Sequence, residues 1–146
     1  MDWIFKGITV GTPPNDFVGF IYLIHFEDGT KYIGKKNFFS HRKRNFGKKE
    51  LALITDKRLK KYEIITKESN WRSYTSSNKD VNEKIRNGEN YIKEILCFAR
   101  TKKHLTYLEE SELYSRAVLW DKRYLNDNIA GRFFTKDIEQ WESKRN

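Results

Sequence analysis

Four side chains in this sequence have the types and spacing to work together on an anionic substrate. Tyr22 and Tyr32 stand ten positions apart, in the runs Gly19-Phe20-Ile21-Tyr22 and Tyr32-Ile33-Gly34-Lys35, and Arg42 follows ten positions later. A free phenol ionises near pH 10, so it gives or orients a proton unless nearby positive charge lowers that value. Lys35 and Arg42 are the protein's own available sources of such charge. The planar fork of donors on Arg42 suits a phosphate oxygen. Glu109 shares a four-residue repeat with Leu105, Leu113 and Ala117, which sets it inside an apolar stripe. A lone carboxylate there is costly, and a metal ion or an arginine partner would explain it. The plainer reading is a surface glutamate with the helix phase misjudged.

The elements around these residues decide whether they can meet. Residues 17–26 form a dense β-branched and aromatic run that predicts a mostly buried strand, with 30–35 as its hairpin partner. Two turns are open. A two-residue Asp28-Gly29 loop, which local propensity favours, puts the tyrosines on opposite faces. A three-residue Glu27-Asp28-Gly29 turn with a bulge sets Tyr22 against Gly34 and Tyr32 against Ile24, on one face. The chemistry requires the bulge, and that is the expectation taken.

Beyond the hairpin, residues 37–46 read as a helix carrying Phe39, Arg42 and Phe46 as one stripe. Residues 50–66 read as a second basic amphipathic segment, 71–77 as a polar connection and 80–87 as a short helix ended by Gly88. Tyr91–Ala99 reads as a third strand, 102–119 as the longest helix, and 135–146 as a polar tail. The expected fold is α/β of the α+β kind: a small central antiparallel three-stranded sheet, starting with a β-hairpin and flanked by helices, in one domain over 1–146.

The net charge of +9 and pI of about 9.6 predict attraction to polyanions. Twelve of the 29 Lys/Arg lie between Lys31 and Lys61, against only Glu50 and Asp56. Phenylalanines interleave them, so the segment reads as folded, with Lys36, Lys43, Arg44, Lys48, Lys49, Lys57, Arg58, Lys60 and Lys61 free to track a DNA backbone. No run is long and apolar enough to span a bilayer, and no signal peptide opens the chain. Cys97 is alone, which leaves no disulfide partner and no cysteine-based zinc site. A reducing, cytoplasmic location fits.

The paired tyrosine runs with Arg42 at its offset resemble the signature of the GIY-YIG endonucleases, with GFIY standing for GIY. The likeness covers about residues 17–134. It implies a later glutamate, for which Glu109 is the match and Glu110 and Glu112 the fallbacks, and a late asparagine, matched by Asn126 and then Asn128. Thr75-Ser76-Ser77 stands where relatives often show a His or Tyr before serines. The resemblance implies hydrolysis of DNA phosphodiesters with Mg²⁺ (or Mn²⁺) on Glu109. Tyr22 would be general base or water-orienting group, Tyr32 a hydrogen-bonding partner, Lys35 a charge beside it, and Arg42 the phosphate holder. It further suggests a stand-alone phage or mobile-element nuclease, with restriction or repair roles open, and a homodimer or rebinding for double-strand cuts. The rival readings are a non-catalytic nucleic-acid binder of the same fold and, more weakly, a membrane-surface protein.

Overall fold

In the computed structural model, which describes residues 1–145, the chain begins with β1 (Trp3–Phe5) and β2 (Ile8–Thr9), then β3 (Gly19–Phe26) and β4 (Lys31–Asn37). It continues through β5 (Phe39–Asn45), α1 (Lys48–Ala52) and β6 (Tyr62–Glu68), then α2 (Lys79–Arg86), β7 (Tyr91–Ala99) and α3 (Lys102–Ser115). The last elements are β8 (Asn128–Ile129), β9 (Phe133–Phe134) and α4 (Thr135–Arg145).

The main sheet runs β2-β1-β7-β3-β4 and is antiparallel except where β1 meets β7. β3 lies inside it and is covered on both faces, which is why its sequence is a continuous apolar run rather than an alternating one. Phe20, Tyr22 and Ile24 pack with Trp3, Trp71 and Val81 of α2 on one side. Ile21, Leu23 and Ile33 pack with Leu105 and Leu113 of α3 on the other. Gly19 is what lets α3 come so close. A methyl group there would stand 2.5 Å from the Lys36 carbonyl oxygen and 2.8 Å from Leu105 Cδ2.

The α+β class is borne out, but the sheet has five strands rather than three. β1 and β2 form a tight hairpin through Lys6 and Gly7, both at positive φ as a type I′ turn requires. Trp3 holds this hairpin down, its indole N–H donating to the Trp71 carbonyl at 2.6 Å. Residues 71–77 are therefore more than a polar connection, since Trp71 and Ser76 are buried.

The helix expected over 37–46 is a strand. β5 pairs antiparallel with β6 from Phe39↔Glu68 to Asn45↔Tyr62, making a separate two-stranded ribbon. The stripe of Phe39, Arg42 and Phe46 imitated helical periodicity, but pairing with the β-branched run Ile64-Ile65-Thr66 overrides it. The second basic segment accordingly divides into the short α1, a connection and β6. α3 stops at Ser115, short of 119, because Ala117 takes a left-handed φ of 49°. Its N–H bonds the Tyr114 carbonyl and that of Val118 bonds Leu113, a Schellman ending with alanine where glycine is usual.

Candidate functional site

The hairpin turn takes the bulged form. Gly29 has φ 92°, its N–H bonds the Phe26 carbonyl, and Tyr22 faces Gly34 while Tyr32 faces Ile24. Both phenols therefore share one face of the sheet. Their ring centroids lie 6.2 Å apart. Tyr22 is 2% exposed, and its hydroxyl lies directly over Gly34, where any Cβ would overlap it. The glycine after Tyr32-Ile33 is thus required by the other tyrosine. A bulge in the β3–β7 pairing falls between Ile21 and Tyr22 and re-aims the strand at that point.

A third phenol completes the cluster. Tyr74, in the connection before α2, meets Tyr22 edge-on at 6.1 Å and hydrogen-bonds its side chain. Burial, then the neighbouring phenols and Glu109, pushes the ionisation of Tyr22 far above the ordinary phenol range. Tyr32, less deeply covered, is pushed up to about 12, by burial first and then by Glu109, Tyr74 and Asp127. The expectation that lysine or arginine charge would lower the Tyr22 value is corrected: neither Lys35 nor Arg42 is among the groups acting on it.

Glu109 approaches from α3, on the turn between the buried Leu105 and Leu113, so the apolar stripe is real. Its carboxyl is half-buried and held above the usual carboxylate range by that burial and by Glu110, against the lowering effects of the Lys35 ammonium and backbone amide. Lys35 is itself fixed by donating to Thr106 Oγ1 on α3 at 2.9 Å. Asn126 is buried beside them. Its Oδ1 accepts from the Ile33 N–H at 3.1 Å and its Nδ2 donates to the Ile33 carbonyl at 2.9 Å. The amide thus grips the residue between Tyr32 and Gly34 and sets the register of β4. Asn128 instead caps the β8–β9 turn, accepting from Gly131 N–H.

The family model described as "Putative endonuclease segE, GIY-YIG domain" matches residues 3–129. The chain belongs to the GIY-YIG endonuclease family. No curated protein and no solved structure matches it.

Within this GIY-YIG domain the remaining expected site residues separate into two places. Arg42 lies on β5, exposed, beside Ser40, Ile65 and Lys67 on one face of the ribbon. It is therefore on a strand instead of a helix, and the structure does not bring it to the phenols. Arg44 is tied down, with Nε to Glu63 at 2.6 Å and its two terminal nitrogens to Glu50 at 3.0 and 2.7 Å. Arg58 is folded onto Asp56. Lys43 and Lys60 sit over the Tyr62 ring, while Lys48 and Lys49 lie on α1 and Lys57 and Lys61 in the connection after it.

Lys36 is the exception among the residues expected to track DNA. It shares the phenol face, its ammonium 4.0 Å from the Tyr74 ring centroid and 2.8 Å from Asn70 Oδ1, and burial lowers its pKa. From the sequence, residues 71–77 read only as a polar connection, which missed Tyr74, and Lys36 read as one of the lysines along the DNA backbone. The serines after Tyr74 were the available signal.

Proposed function

We propose that this domain is a metal-dependent DNA endonuclease centred on Tyr22, Tyr32, Tyr74, Lys35 and Glu109. The observation that carries the reading is the gathering of two further phenols and a half-buried carboxylate around Tyr22. Among the described residues no three His, Cys, Asp or Glu side chains cluster as a metal cage. One carboxylate is nonetheless a suitable donor set for Mg²⁺ or Mn²⁺, which keeps its waters and takes the rest of its ligands from substrate phosphate. Held by Glu109, such an ion would polarise the phosphate, stabilise the departing oxygen and add the positive field that lowers a phenol's pKa.

The chain's own groups then have separable tasks. Tyr22 remains protonated at neutral pH in this arrangement, so its hydroxyl orients the attacking water or a phosphate oxygen as a donor. Tyr32, nearer the surface, donates to the same oxygen set. Lys35 and Lys36 supply the positive charge that balances the phosphate. Asn126 acts through Ile33, keeping Tyr32 at its station. Arg42 meets the duplex from the ribbon. One such centre cuts one strand, so a double-strand break needs a second copy or rebinding.

The test is supercoiled plasmid with Mg²⁺ or Mn²⁺ over a range of salt. Wild type is expected to nick it. Glu109→Gln is expected to lose more than the roughly 10–100-fold that changes around a metal ligand cost. Activity should also fall as the pH drops through the raised pKa of Glu109, since only the ionised carboxyl binds a cation. No nicking by wild type under any of these conditions would sink the enzyme reading. Nicking that survives the substitution would sink the role of Glu109.

A further inference from the structure

We infer that the β5–β6 ribbon is an arm that enters the major groove of duplex DNA. In this reading Ser40, Arg42 and Lys67 face the bases, and the lysines of the arm's tip lie along the phosphates. The inference rests on the nuclease reading for its substrate and adds where and how the duplex is held.

Shape comes first. Strand pairing joins β5 and β6 only to each other, and no residue of either strand is buried. A lone two-stranded ribbon without an apolar face is marginal in water. Seven paired positions at about 3.3 Å each give an arm of roughly 20 Å. The major groove, about 12 Å wide, admits a two-stranded ribbon as it stands, whereas the minor groove, about 6 Å wide, takes one only where the duplex is bent or opened.

Charge decides the partner. Residues 39–68 hold ten Lys/Arg and four Asp/Glu, leaving 19 against 16 for the other 116 residues. Each of the four acids is already engaged. Glu50 and Glu63 hold Arg44, Asp56 holds Arg58, and Glu68 holds Arg72 outside the arm. Eight cations of the arm therefore have no carboxylate partner among the described residues. Arg44 stiffens the arm by linking β5 to β6 and to α1. Arg42, two residues earlier on the same face, keeps its whole fork of donors available, with Ser40 and Lys67 beside it. That is the donor set that reads guanine and phosphate edges.

Binding can be scored apart from cutting. Glu109→Gln protein, without divalent ion, is titrated onto a fluorescent 30-base-pair duplex. Methyl green, which fills the major groove, is expected to weaken binding about tenfold, and netropsin, which fills the minor groove, to leave it unchanged. Arg42→Ala with Lys67→Ala should bind roughly tenfold more weakly, at the low end of a bidentate base contact, with unchanged thermal melting. Lys48→Ala with Lys49→Ala should instead flatten the salt dependence by about 0.9 in log–log slope for each phosphate that is no longer neutralised. Displacement by netropsin, or parental affinity in the Arg42/Lys67 variant, overturns the proposal. So does absence of duplex binding at every salt, whatever the plasmid assay shows.

Discussion

The two long antiparallel pairs of this protein, β3–β4 and β5–β6, are almost equal in length and opposite in what surrounds them. In the first, β3 is walled in from both faces and its tyrosines are held out of their normal ionisation range. In the second, every side chain keeps some contact with water and the ordering comes from Arg44 and its two carboxylates. Packing specifies the hairpin without help. Charge specifies the ribbon only in part, and what would finish the job is an anionic surface. In the reading proposed above, one pair carries the reaction and the other the capture of substrate.

The sharpest way to break that contrast is to make the same change inside the hairpin and just beyond the first strand of the ribbon. Gly34→Ala forces a methyl into the space of the buried Tyr22 hydroxyl, so stability should fall by roughly 1–3 kcal/mol, as overpacked cores do, and nicking should fall with it. Gly47→Ala, at the N-cap of α1 beyond the ribbon with only Glu50 Oε1 at 4.0 Å, should cost no more than the loss of a cap preference and leave nicking unchanged. Chemical denaturation beside the plasmid assay reads the pair. Equal losses would mean the ribbon is as tightly determined as the hairpin.

A smaller effect separates the devices that hold each pair. Asn126→Ala strands the Ile33 amide and carbonyl and should cost roughly 1–3 kcal/mol of global stability. Arg44→Ala should leave the melting temperature nearly unmoved while amide exchange quickens across 39–45 and 62–68. Exchange spreading into β3 would show that the two pairs fold as one unit.

The smallest signal is spectroscopic. Of eight tyrosines, Tyr22 and Tyr32 should be the last to give phenolate absorbance, Tyr32 near pH 12. The sign is fixed by linkage. A pKa raised by folding means the native state favours the protonated phenol, so the associated stability is intact below pH 10 and drains as pH rises through 12. Ordinary titration of all eight near pH 10 in folded protein would contradict the buried cluster.

What could be read from residues alone divides along the same line. The shared face of Tyr22 and Tyr32 was legible only through their chemistry, since local propensity favoured the two-residue turn and only the bulged one brings them together. Tyr91–Ala99 and the start of α3 followed from local pattern. Glu109 was legible because a carboxylate among leucines demands a reason. The ribbon was not, since its strands meet across sixteen intervening residues and bury nothing that would imprint an alternation. Nor was β1, a three-residue strand whose partner in the core of the sheet lies 90 positions away. Tyr74 reached the centre through a fold of the chain around Trp71 that no local spacing announces.

A protein of net charge +9 drawn to a long polyanion is crowded against copies of itself, and crowded strands fuse. The outer side of β4 would invite this. There the Lys31 amide and carbonyl are taken by Arg123 and Leu125, and those of Ile33 by the amide of Asn126. At Ile33 one side chain, with a single oxygen and a single nitrogen, does the work of a neighbouring strand, and with the Lys31 pairing it leaves that flank with nothing to offer a stranger's backbone at those positions.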